Sequence, residues 1–376
     1  MSVDSKRKDF HITVGTHPPS ELRLDTDLSL VKAALLYADK AKLCSVASFT
    51  MLAAVSVTEL KPKERLKLVE ELAPVIIRDE QQVESLLSGL KIYKQIVAKK
   101  HLNRKELYVR MQLEKIIAET WKSLREQYQS MAESSGFHDI ARAVESGLLE
   151  LHTFNSQDGD ELVIEFFNVL AEAISDSVTY PLFDELTGGL IRSGIQEGKI
   201  EVSELNIKRG RHARLAAHLL ERLPLFDAAG MDEILDIRKE LERPLIRFRS
   251  AMIKFSDNIK SASWDKNFSL EAEQVFYKEI EPAILDIEDA VKTNNYLSTL
   301  IRKVADKPLT IPAGSTLAVV VSRLSDLPDL VSQGLGVSLA AAPLIYDATK
   351  EWKEKQLKTE QNHLFFYYRA RKELSE

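Results

Sequence analysis

The chain has 376 residues, 44% of them hydrophobic and 29% charged, which supplies a core for two domains or one large helical body and excludes overall disorder. Its formal net charge of −6 excludes a surface that attracts polyanions as a whole, so nucleic-acid binding would need a local patch. One cysteine, Cys44, excludes an internal disulfide and suits a reduced compartment; within the apolar run 43–47 it reads as a buried, inert thiol.

Residues 1–9 are polar and charged, with no apolar core of signal-peptide length, and the simplest reading is a cytoplasmic protein of bacterial type. Residues 10–14 alternate weakly and stop at Gly15, as a short strand does. Thr26 or Asp27 opens a helix through Lys40, and 43–47 reads as a second strand. Helices dominate from Phe49. One starts at Pro62, and another covers about 79–99. Asn103 and Glu106 then form a capping-box pattern that opens a long helix to about Ser134. Leu107, Leu113, Ile117, Leu124 and Tyr128 make its apolar stripe, which the spacing assigns to the core.

Gly136 breaks the pattern, Gly147 ends a short helix, and 148–154 alternates as a third strand. The polar run 155–160 is the clearest linker. Helices follow at about 160–177, 181–197, 211–223 and 230–260, the last kinked or split by Pro244. Ser269 caps an acidic helix that continues toward Asp306. The expected fold is therefore mainly α: a multi-helix body with a small N-terminal α/β element of two or three short strands. The expected division is into residues 1–155 and 156–376.

The stretch 308–346 is apolar, with Arg323, Asp326 and Asp329 as its only charges. Its longest uncharged part, 330–346, is at the lower limit for a membrane span, and Pro312, Pro328 and Pro343 interrupt it. It reads as a hairpin packed on the protein body, with a membrane-inserting hairpin as the rival. The terminal run His363–Tyr368 sits beside Arg369, Arg371 and Lys372 and reads as a helix docking its aromatic face.

Candidate chemistry is sparse. Two basic clusters suit phosphate: Lys99, Lys100, His101, Arg104 and Lys105, and then Lys208, Arg209, Arg211 and Arg214 with His212 beside them. If the chain is an enzyme on a nucleic acid or nucleotide, Asp25, Asp27 and Asp39 near the first strands are its acids, provided they converge closely enough to share a metal. No Walker loop, dinucleotide fingerprint, HExxH, Cys–His ligand spacing or GxSxG is present, so the sequence assigns no metal and no cofactor.

Two segments, Leu223–Leu241 running into Pro244–Arg249 and Asp27–Lys40, resemble an uncharacterised family of helical bacterial proteins, with no activity to carry over. Arg247 and Arg249 follow the Pro244 kink and are expected to pair with Asp236 or Glu240. The leading function is a non-enzymatic helical protein acting through protein partners or self-association. The rivals are a membrane-acting effector using 308–346 and the nucleic-acid or nucleotide enzyme described above. Duplex nucleic acid is not an expected partner.

Overall fold

The structure, a computed structural model, describes residues 10–17, 23–58, 60–61, 64–67, 70, 80–99, 101–155, 159–175, 178–291 and 359–375. The stretch 308–346 lies outside the described residues. The chain divides into two compact units, Met1–Ala34 with Ala38–Val202, and Leu35–Tyr37 with Ser203–Glu376. The division thus falls after residue 202 rather than after 155. The physical reason is that the segment after the linker completes the N-terminal sheet.

That sheet has four parallel strands: β1 (His11–Thr16), β2 (Lys40–Ser45), β3 (Leu149–Leu151) and β4 (Tyr180–Phe183), in the order β3-β2-β1-β4. Parallel neighbours need a crossover, and α1 (Asp25–Tyr37) supplies it between β1 and β2. The alternation of a strand puts Ile12 and Val14 on one face, both buried, and His11, Thr13 and Gly15 on the other. Gly15 faces α6 (Gly159–Ser175): a Cβ there would lie 2.4 Å from Leu170 Cδ2 and 2.8 Å from the Phe183 ring. Only glycine lets α6 come that close.

The fourth strand was not expected, because its four residues adjoin a helical pattern that reads from 181. The helix α7 begins only at Glu185, where the Asp184 carboxylate accepts the Thr187 N–H at 2.7 Å. Pro181 is tolerated in β4 because β4 is an edge strand.

The first unit also contains α2 (Val46–Thr58), α3 (Glu80–Val97), α4 (Arg104–Ser135) and α5 (Phe137–Glu145). The capping box that opens α4 is present in full: Asn103 accepts the Glu106 N–H at 2.8 Å and Glu106 accepts the Asn103 N–H at 3.1 Å. Gly136 ends α4 at φ 81°, a left-handed conformation that an L side chain strains to adopt. α4 packs on α2 and α3, and Trp121 is its large buried anchor.

The second unit contains α8 (Glu204–Leu220), α9 (Met231–Glu240), α10 (Glu242–Ser256), α11 (Phe268–Val275) and α12 (Phe365–Glu373). Pro244 sits in the first turn of α10, and the expected long helix is split at Leu241. A π-helical turn, Phe276–Ile280, follows α11 directly. The C-terminal helix docks as expected. Phe366 and Tyr367 are buried, with ring centroids 5.1 and 6.5 Å from that of Phe248, and Tyr37 meets Phe248 edge-on at 5.9 Å. Arg247 and Arg249 bond backbone carbonyls, those of Glu360 and Tyr37, each at 2.5 Å. They therefore fasten α10 to neighbouring carbonyls, a role the expected carboxylate pairing did not include.

Among the described residues no helix is long and apolar enough to cross a membrane.

Candidate interaction surface

The α3–α4 hairpin carries the most unusual surface among the described residues. α3 and α4 approach each other at Gly89, where an added Cβ would stand 4.0 Å from Leu113. On the tip side of that approach Ile92, Val97, Leu107, Tyr108, Val109 and Met111 are exposed, Tyr108 at 65% and Met111 at 60%. Single exposed apolar residues are ordinary, but a group on one hairpin end makes the tip the candidate contact surface among the described residues.

Leu107 corrects the expected core stripe. It is 49% exposed, whereas Leu113 and Ile117 are half-buried and Trp121 is buried. The reason is position: Leu107 sits in the first turn of α4, six residues toward the tip from Leu113, where the hairpin's helices approach at Gly89.

The same tip is strongly basic. From Lys91 to Met111 the chain carries seven Lys or Arg and one Glu, a net +6; the whole chain is −6, which leaves −12 on the remainder. Part of this charge is used locally. Lys99 binds Glu106 at 2.5 Å, Lys94 binds Glu70 at 2.5 Å and Arg110 binds Glu114 at 2.8 Å. His101, Arg104 and Lys105 are exposed.

A surface of opposite character lies on the first turns of α6. Val163 and Ile164 are exposed beside the exposed Asp160 and Glu161. Acidic residues belong there on helix-dipole grounds. The two adjacent exposed β-branched residues have no such local reason.

The acids Asp25, Asp27 and Asp39 do not converge. Asp25 is exposed and pairs with Arg23 at 2.9 Å. Asp39 accepts the Phe10 N–H at 2.8 Å, beyond the far end of α1, and the rise of that helix alone separates the two ends by roughly 18 Å. Asp27 is 2% exposed, and its Oδ2 accepts the hydroxyls of Ser45 and Ser48, each at 2.5 Å. Burial raises its pKa above the ordinary aspartate range, against the lowering effect of these hydroxyls and of Thr16. The Thr16 hydroxyl lies near enough to act on the charge but makes no hydrogen bond of standard geometry. Asp27 is thus a buried lock between the starts of α1 and α2. Among the described residues no group of three or more His, Cys, Asp or Glu is arranged to hold a metal.

The second basic cluster also disperses. Arg211 donates to the carbonyls of Ser261, at 2.8 Å, and Lys260. Arg214 pairs with Glu221 at 3.2 Å, Lys208 is exposed and Arg209 is half-buried. One turn is therefore spent on holding the loop after α10 and on an ion pair within α8 and its cap. Burial pushes His212 and His218 down to about 4, so both are neutral near pH 7. Glu273 lies 3.5 Å from His218 and also binds Arg222, whose guanidinium stacks 4.4 Å from the Phe276 ring centre. No sequence pattern signals this cluster, because its members come from α8, the turn after its cap, α11 and the π-helical turn. Cys44 is buried and its thiol is pushed up to about 12, chiefly by burial, which keeps it out of nucleophilic chemistry.

No family model, curated protein or solved structure matches the chain.

Proposed function

We propose that the chain is a non-enzymatic helical protein that works by self-association, with the tip of the α3–α4 hairpin of one copy docking on the start of α6 of the next. The observation that carries this reading is the tip: exposed Leu107, Tyr108 and Met111 within a segment of net charge +6, on a chain whose remainder is −12. Apolar side chains supply the attraction, and charge supplies orientation and encounter rate. The α6 surface has matching character, with Val163 and Ile164 beside Asp160 and Glu161. Two different surfaces meet in such a contact, so it is heterologous and builds rings or open chains rather than a closed two-fold dimer.

Sedimentation velocity over a concentration series tests it. The reading expects species larger than a monomer at low ionic strength, and their partial dissociation at about 0.5 M salt, where surface charges are screened within a few Å. Tyr108→Glu with Met111→Glu removes the larger species. A monomer at every concentration and salt contradicts the reading. Tip-dependent binding of a short DNA duplex without self-association would assign the tip to nucleic acid instead.

A further inference from the structure

The amino end of the sheet holds a cavity that the interaction surface does not use. Its volume is about 340 Å³, within the range that takes a small molecule. Its floor is the sheet face on which β1 and β2 place His11 beside Lys40 and Thr13 beside Lys42. Its roof is the last turns of α6, with Val169, Glu172 and Ala173. Toward the carboxyl edge of the sheet α6 closes on it, with Leu170 against Gly15. It lies opposite the carboxyl edge where parallel sheets usually bind ligands, so it is not the common nucleotide crevice.

The charges on the two walls are of opposite sign. Lys42 stands 3.7 Å from Glu150, its neighbour on β3, so these two charges offset each other in part. Lys40 on the floor and Glu172 on the roof form no ion pair with any described residue. The carbonyl end of α6 adds negative potential on the roof side. Inside, the hydroxyls of Thr13 and Thr179 bond each other at 2.8 Å, and Val169, Ala173 and Val178 supply apolar wall.

We propose that this cavity binds a small dipolar solute of the amino-acid class, α or ω, with its carboxylate at Lys40 and its ammonium at Glu172. A simple anion would satisfy Lys40 and repel Glu172; a simple amine would do the reverse. A solute with both charges and a short apolar stem matches floor, roof and wall together.

Isothermal titration calorimetry of the full chain with the proteinogenic L-amino acids, β-alanine and γ-aminobutyrate tests it, with propionate and propylamine as single-charge controls. At least one dipolar probe is expected to bind, with both controls at least tenfold weaker. Lys40→Ala and Glu172→Gln should each weaken that probe by about tenfold. Both residues are exposed, so the variants are expected to keep the wild-type circular dichroism spectrum and melting temperature. Three results overturn the proposal: no probe binding at about 10 mM, which corresponds to about 3 kcal/mol of affinity; propionate binding as well as the amino acids; or affinity indifferent to both substitutions.

Discussion

Ser48, in the first turn of α2, gives its hydroxyl to Asp27, in the first turn of α1, at 2.5 Å, and both side chains are buried. Ser45 donates to the same oxygen at 2.5 Å while its own Oγ accepts the Ser48 N–H at 3.1 Å. One carboxyl group thereby fixes the starts of two helices against the end of β2. Ser48→Ala and Asp27→Ala should separate the two halves of this lock. Ser48→Ala removes one donor and is expected to cost about 1–2 kcal/mol, while Asp27→Ala leaves two buried hydroxyls without their acceptor and costs about 2–4 kcal/mol. Native-state hydrogen exchange of the β1 and β2 amides reads both; equal protection in the two variants and the wild type contradicts the lock.

The same carboxyl sets a pH dependence. Burial raises the folded-state pKa of Asp27 above its ordinary value of about 3.9, so the folded protein holds this proton more tightly than the unfolded chain does. Its stabilising contribution is full below the ordinary value and is lost as pH rises through the raised one. Asp27→Asn keeps an acceptor and cannot ionise, so its stability relative to wild type should increase over that rise. A difference that is flat with pH would show that Asp27 is not shifted upward.

His212 and His218 act in the opposite direction. Burial lowers each to about 4 in the folded state. The unfolded chain takes up these protons near pH ~6.5, so their contribution is full above that value and is lost as pH falls toward 4. Each is worth on the order of 3 kcal/mol at most across that interval. His218→Gln should flatten the acid limb of the stability profile for the second unit, followed by exchange of the α8 amides; an unchanged limb contradicts the buried neutral imidazole.

The hairpin gives a contrast within one helix. Leu107 is half in water and Trp121 is buried. Leu107→Asp is expected to change stability by less than about 1 kcal/mol, whereas Trp121→Ala costs about 3–5 kcal/mol. Thermal melts of the two variants check this. A severe loss from Leu107→Asp would return that residue to the core.

Local features carried well from sequence to structure. The Asn103 capping box, the Gly136 stop and the Pro244 split are each written in one or a few adjacent residues, and each is found where the pattern places it. Features that depend on distant partners did not carry. β4 is a strand because Tyr180–Phe183 pairs with β1, about 170 positions earlier in the chain, and its four residues alone cannot signal that. Leu107 has the spacing of a core residue, but its exposure depends on which elements pack over that end of α4. Asp27 and Asp39 are near neighbours in sequence and lie at opposite ends of a helix. The charge excess around the tip was legible in part, as the run Lys99–Lys105; its coincidence with exposed Tyr108 and Met111 was not.

The central claim is that one copy's hairpin tip docks on another copy's α6 start. The direct measurement mixes two blocked variants and weighs the products by sedimentation velocity. Tyr108→Glu with Met111→Glu blocks the tip and leaves α6 intact; Val163→Glu with Ile164→Glu blocks α6 and leaves the tip intact, and the two blocked surfaces are both acidic and repel each other. Head-to-tail docking predicts that each variant alone is a monomer and that an equimolar mixture forms a one-to-one heterodimer that grows no further. Larger assemblies formed by either variant alone, or two monomers that ignore each other when mixed, would contradict it.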